Sequence, residues 1–138
     1  VKSCEEQYWA INAPVIIVVV SELEKIRRRF GVRGEALYAV QNCAAAIENL
    51  LLKATELNLG ATWIGSFDET KIKEILEIEG DSRPQAVIAL GYGEDFDAKA
   101  KREPLDNFVY FDKWESKLDR SRGKFTPVAD ALKKILKH

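Results

Sequence analysis

Methionine is absent from this 138-residue chain, histidine occurs once as the final residue His138, and cysteine occurs twice, at Cys4 and Cys43. Each scarcity excludes a class of chemistry. Two separated thiols and a terminal imidazole cannot assemble a zinc site, and a Ser-His-Asp or Cys-His catalyst has no usable base. The cysteines lack CxxC spacing, so a reduced, cytoplasmic setting is expected, with both thiols acting as small hydrophobes. The longest purely apolar run, "APVIIVVV", is too short to span a bilayer, and no signal-peptide pattern precedes it. Neither sign of charge dominates: 21 basic against 22 acidic residues give a formal net charge of −1. That balance exerts no general pull toward nucleic acid or membranes. A chain that opens on Val1 and holds no Met reads as trimmed or partial.

What is present is ordinary in amount, 46% hydrophobic and 31% charged, which suits one globular domain. Such a length buries about two-thirds of its unfolded surface without disulfide or metal staples. "VKSCEEQYWAIN" reads as a short helix or helix end leading to Pro14. "PVIIVVV" is β-branched and unalternating, which predicts a central strand covered on both faces. "SELEKIRRRFGVRGE" reads as a short helix and a surface connection. Its cluster of Arg27, Arg28, Arg29 and Arg33 could touch phosphates, but without interleaved aromatics a solvated face is the stronger reading. The dominant element is "ALYAVQNCAAAIENLLLKATELNL", apolar over most of a helix circumference. Burial all round in so small a chain predicts a second subunit, and Gly60 is a natural stop.

Next, "DETKIKEILEI" is an amphipathic helix. Ser66 has capping-box spacing to Glu69, with Asp68 as a competing cap, and Gly80 ends the helix. "QAVIALGYG" is a second buried strand, and "FVYFD" a short edge strand. Thr126 and Pro127 open a final amphipathic helix carrying Val128, Leu132, Ile135 and Leu136. The order is that of an α+β or α/β layer. "LGYGED" falls short of a dinucleotide fingerprint, because Phe96 holds the third glycine position and no helix follows. No P-loop occurs, and no carboxylate pair stands apart from helix-surface charge.

The connection "LNLGATWIGSFDE" is the unusual stretch. It places Trp63, Ile64 and Phe67 around Gly65 and Ser66, where polar turn formers are normal. At Gly65-Ser66 a backbone can approach a ligand closely. N–H groups ahead of a helix favour electron-rich partners, and Trp63 with Ile64 offers flat apolar walls. The competing reading is a tight connection whose aromatics plug the core, and physics alone places it ahead.

"YAVQNCAAAIENLLLKATELNLGATWIGSFDETKIKEILEI", then "PQAVIALGYGE", then "KREPLDNFVYFDKW" resembles the C-terminal half of the FMN-dependent nitroreductase family, and "QYWAINAPVIIVVV" resembles that family's strand entry. The likeness spans roughly residues 7 to 114. It implies an α+β fold, a mixed sheet covered by helices, with the long central helix at a homodimer interface. It also implies FMN contacts from Trp63, Ile64, Gly65 and Ser66, with the phosphate held by Arg102, Lys101 and a possible helper Lys99. The activity implied is NAD(P)H oxidation through flavin to a nitroaromatic, quinone or enone, with no catalytic side chain and no metal. The Arg-rich segment of family members does not precede Val1. A non-catalytic or fragmentary relative that dimerises and holds little flavin is therefore the alternative. Residues 1–114 are expected to form the family-like domain, and 115–138 a C-terminal extension.

Overall fold

The computed structural model describes residues 12–93, 103–104, 107–110 and 113–116. The chain forms two compact units, Val1–Phe96 and Asp97–His138. In the first, β1 (Val15–Glu22) leads into α1 (Leu23–Arg33), a π-helical turn (Gly34–Tyr38) and α2 (Ala39–Glu56). Then come β2 (Gly60–Ile64), α3 (Glu69–Ile75) and β3 (Ser82–Gly91).

The three strands lie in the order β1-β3-β2. β1 pairs antiparallel with β3 from Val15 opposite Leu90 to Glu22 opposite Ser82. β2 pairs antiparallel with β3 from Gly60 opposite Gly91 to Ile64 opposite Val87. The α+β class is as expected, while the sheet is antiparallel among the described strands rather than mixed. The central strand is β3, not β1. Ala86, Val87, Ile88 and Ala89 are buried, whereas Val15, Ile16 and Val20 of β1 are exposed. Both strands are unalternating apolar runs, so periodicity could not rank them.

Alternate residues of β3 face opposite layers. Val87 and Ala89 join Ile64 and Ile72 of α3. Ala86 and Ile88 join Ile47 of α2, with Ile17, Val19, Leu50 and Leu51 packed around them. The pairing of β1 with β3 shifts between Val19 and Val20, and beyond the shift Val20 lies opposite the buried Pro84. Proline has no N–H to give a ladder, and this part of β3 has no β2 neighbour asking for one, since β2 ends opposite Val87.

The expected surface connection after α1 is helical. At Gly31 the backbone turns to φ 61, ψ −153, a region open essentially to glycine alone. The chain then re-enters helix through the π turn. In α2, Ala39, Ile47 and Ala54 are buried, while Val40, Leu52 and Leu57 are exposed. Within one chain the broad apolar surface is therefore covered along one stripe, not all round. The stop is at Asn58 instead of Gly60. Asn58 takes φ 57, its N–H donates to Thr55 O, and Leu59 N–H donates to Ala54 O at 2.9 Å. That is the two-bond termination of a left-handed cap residue, and it frees Gly60 to begin β2. Likewise α3 ends through Glu77 at φ 52, with Ile78 N–H donating to Lys73 O, so Gly80 belongs to the following turn.

In the second unit, Asn107 donates to the Glu103 carboxylate at 3.0 Å, and the Tyr110 and Trp114 rings pack 4.9 Å apart. Phe108, Val109 and Tyr110, expected in an edge strand, have no strand pairing. The expected helices before Asn12 and after Thr126 lie outside the described residues.

Candidate functional site: the turn between β2 and α3

The stretch read as a connection is largely a strand, because its β-branched and aromatic residues find partners on β3. Trp63 lies opposite Ile88 and Ile64 opposite Val87. Successive strand residues point to opposite faces, so the two proposed walls are separated. Ile64 is 2% exposed and belongs to the core with Ile72, Val87 and Ala89, whereas Trp63 is 41% exposed. Ile64 can offer a visitor its backbone but not its side chain. Trp63 is neither a full plug nor free of the fold.

The chain leaves the sheet after Ile64 through Gly65, Ser66 and Phe67 and re-enters helix at Asp68. Phe67 packs against the core cluster around Ile64. Among the described residues nothing but its chain neighbours lies within 4 Å of where a Gly65 Cβ would stand, and its φ is not positive. The fold itself therefore makes no demand for glycine there. Gly91 differs: a Cβ on it would come 2.6 Å from Pro14 Cδ. Gly91 of "LGYG" thus serves close packing against Pro14, a physical reason for that glycine other than phosphate binding.

The start of α3 is closed by the chain itself. Asp68 Oδ1 accepts from the Lys71 N–H at 3.0 Å, and Lys71 Nζ lies 2.9 Å from Oδ2. The backbone bond from Lys71 is the main cause holding the Asp68 carboxyl below its usual range. At the helix start itself, a carboxylate of the chain takes the Lys71 N–H. Beside it, Glu69 accepts two bonds from Arg83 of β3, at 2.7 and 2.9 Å. That bond set lowers the Glu69 carboxyl and raises the Arg83 guanidinium. The turn is thus fixed at one end by Ile64 and at the other by Asp68 and Glu69. Asp68 was legible as a cap candidate; the Arg83 partner, 14 residues from Glu69, carried no local signal.

Of the expected site residues, Trp63, Ile64, Gly65 and Ser66 are brought together on this turn, and Lys99, Lys101 and Arg102 lie outside the described residues. Cys43 on α2 is partly buried, which pushes its thiol up and away from thiolate chemistry. Among the described residues no group of three or more His, Cys, Asp or Glu could hold a metal ion, and no helix is long and apolar enough to cross a membrane.

The sequence profile of the Nitroreductase family matches residues 2–92, which takes in every element from β1 to β3. This chain belongs to the nitroreductase family. Among its relatives, an Archaeoglobus fulgidus protein provisionally named NADH dehydrogenase/NAD(P)H nitroreductase is 34% identical over 83 residues, covering 54% of this chain and 47% of that protein. A Methanothermobacter thermautotrophicus protein of the same provisional name is 38% identical over 87 residues, 59% of this chain and 41% of the other. This nitroreductase-family chain thus spans less than half the length of the curated relatives it matches. A solved nitroreductase family protein from Clostridium novyi is 30% identical with a TM-score of 0.54, covering 83% of this chain and 59% of that one. The Bacillus megaterium protein NfrA2, 17% identical, matches in fold with a TM-score of 0.73 over 98% of this chain and 67% of that chain.

Proposed function

We propose that this nitroreductase-family chain works as an FMN-dependent oxidoreductase, which takes reducing equivalents from NAD(P)H. When bound, the flavin supplies the redox chemistry at its N5 and passes hydride to a nitroaromatic, quinone or similar acceptor. The observation that carries the reading is Gly65. It stands on an exposed turn beside a half-exposed Trp63, with open space where its Cβ would be and no backbone conformation that requires glycine. A glycine that the fold does not need suits the close approach of a flat ring to the backbone.

In this reading, Trp63 flanks the ring, and the backbone from Ile64 to Ser66 lies along its edge. Ile64 in the core and Asp68 at the helix start hold that backbone in place. Arg102 and Lys101 hold the phosphate, since guanidinium and ammonium groups bind phosphate by charge-assisted hydrogen bonds. No side-chain acid or base is assigned. The chain acts as a cytoplasmic homodimer through α2, whose exposed Val40 and Leu52, with Leu57 at the helix cap, would be covered by the partner copy. The names of the archaeal relatives support NAD(P)H as reductant.

The test is reconstitution. Full-length protein incubated with FMN and desalted should retain flavin absorbance and oxidise NADH or NADPH in the presence of a quinone. A colourless protein that also fails to retain added FMN sinks this reading and leaves the non-catalytic dimer.

A further inference from the structure

The run of arginines in α1 looks solvated in the sequence because no aromatic is interleaved with it. Folding supplies the aromatics. The turn at Gly31 folds the chain back so that Tyr38, eight residues on, meets Phe30 edge to face with ring centroids 5.4 Å apart. The Arg29 guanidinium stands 5.3 Å from the Phe30 centroid, and that of Arg33 stands 5.7 Å from the Tyr38 centroid. Arg33 Nε also donates to the Tyr38 hydroxyl at 3.1 Å.

The arginines of this segment divide by partner. Arg27 is held by Glu35 and Asp81, and Arg28 by Glu24. Among the described residues, Arg29 and Arg33 have no carboxylate partner. Phe30 is 48% exposed and Val32 79% exposed. Two guanidiniums without a carboxylate partner therefore flank an aromatic pair of which Phe30 is exposed and Tyr38 half-buried. Each guanidinium keeps N–H donors at its rim while its charge stands over a ring. A bare anion would use the donors and leave the rings idle. A long nucleic acid would need a basic track, whereas the chain's net charge is −1 and the patch is two residues wide.

Topology adds a second point. The chain leaves the sheet at Glu22 into α1, and α2 returns toward Gly60, opposite Gly91. β2 then runs back to Ile64. The turn at Gly31 therefore follows the Ser82 end of the sheet, and the turn at Gly65 follows Ile64, opposite mid-strand Val87.

We infer that Arg29, Phe30, Arg33 and Tyr38 form a subsite for the phosphorylated adenosine end of the pyridine nucleotide. The adenine stacks on the aromatic and guanidinium faces, and the phosphate is held by the two arginines. The inference rests on the proposed use of NAD(P)H for its physiological meaning, but the subsite itself is testable without flavin.

The probe is ADP-ribose, titrated calorimetrically into the full chain, with inorganic phosphate as a second titrant. Saturable binding of ADP-ribose is expected, far tighter than that of phosphate. Arg29→Gln with Arg33→Gln should weaken it by roughly tenfold or more, as loss of charge-assisted bonds to phosphate requires. Phe30→Leu should weaken it without altering phosphate binding, and Arg33→Lys should retain part of the affinity. Circular dichroism and melting of each variant keep unfolding separate from loss of the subsite. No saturable binding, binding unmoved in folded arginine variants, or equal affinity for phosphate and ADP-ribose each overturns the subsite. FMN retention, measured in parallel, should not change in the variants. Should the chain hold ADP-ribose through these residues yet never retain FMN, the subsite stands and the oxidoreductase reading falls.

Discussion

Arg83 grips Glu69 through two parallel hydrogen bonds, Nη2 to Oε1 at 2.7 Å and Nε to Oε2 at 2.9 Å, and so ties the first residue of α3 to the entry of β3. Both side chains remain partly open to solvent, at 43% for Glu69 and 52% for Arg83. A double-mutant cycle with Glu69→Gln and Arg83→Gln should therefore return a coupling of only about 0.5–1 kcal/mol. Glu69 and Asp68 are both held below their ordinary carboxylate values, by Arg83 and by the Lys71 N–H respectively. A lowered carboxyl stabilises the fold fully above its unfolded value, so these contributions should be complete above about pH 5 and fade as pH falls through the lowered values. Melting curves across that acid range should show wild type losing more stability than the Asp68→Asn, Glu69→Gln variant. Parallel acid losses would show that the two carboxylates do not act through their charge.

At Gly65 the fold and the proposed function part company. Gly65→Val meets open space and an unstrained backbone, so stability should stay within about 0.5 kcal/mol of wild type. FMN retention should fall sharply, because a branched side chain would stand where the ring approaches. Ile64→Ala provides the contrast: a buried core residue, it should cost about 2–5 kcal/mol and lose flavin only as the protein unfolds. Equal flavin retention in Gly65→Val and wild type would remove the turn from the site.

Trp63→Ala should cost less than the roughly 3–5 kcal/mol of a fully buried aromatic, since 41% of its surface is already wet. A ring-flanking residue should also change the fluorescence of bound FMN at temperatures where the variant remains folded. An unchanged flavin spectrum with a full core-sized stability loss would restore the simple packing reading.

The sequence made the elements legible where local chemistry was unambiguous, and obscured them where partners decided. β3 and α2 could be read from "QAVIAL" and from the helical spacing of Ile47, Leu51 and Ala54. β2 could not, because "GATWI" is five residues long and becomes a strand only when Trp63 and Ile64 find Ile88 and Val87. The rank of β1 and β3 was equally hidden, since "VIIVVV" and "AVIAL" carry the same pattern and only neighbours distinguish an edge from a centre. Asn58 displaced Gly60 as helix stop because asparagine tolerates a left-handed backbone nearly as well at that position. For the candidate site, the odd composition of the turn was visible, while the division of Trp63 from Ile64 required knowing that the stretch alternates. The pairing of Phe30 with Tyr38 required the turn at Gly31.

Gly91→Ala would drive a methyl into the Pro14 ring, whose Cδ lies 2.6 Å from the ideal Cβ position. Proline cannot swing aside as a flexible chain end would. The expected cost is about 1–3 kcal/mol of stability, read by thermal melting, and Gly91→Ala with Pro14→Ala should recover part of it. No loss in the single variant would mean that the contact is not tight in solution.

Arg102→Ala should weaken FMN retention while leaving the melting temperature of the flavin-free protein unchanged, because a phosphate contact contributes nothing to the fold without its ligand. Unaltered FMN affinity would place the phosphate elsewhere.

Exposed Val40 and Leu52 on α2, with Leu57 at its C-cap, predict a dimer that persists at low micromolar concentration. Leu52→Glu should shift the mass seen by light scattering toward the monomer. A stable wild-type monomer at that concentration would refute the interface.

The two prolines of the sheet bear on a problem of misalignment. Strands as uniformly apolar as "VIIVVV" and "AVIAL" lack the apolar-in, polar-out code that penalises sliding by a residue or two, and decoy alignments would bury nearly as much surface. Here the ends supply the discrimination. Pro14 can sit only where β3 offers Gly91, and a slide would set its ring against the side chain of Leu90 or Tyr92. At the other end Pro84 follows the offset between Val19 and Val20 and stands opposite Val20, past the end of β2. Steric keys at both ends thus do for this sheet what alternation does for others, which makes Pro14 and Pro84 determinants of folding fidelity more than of native-state energy.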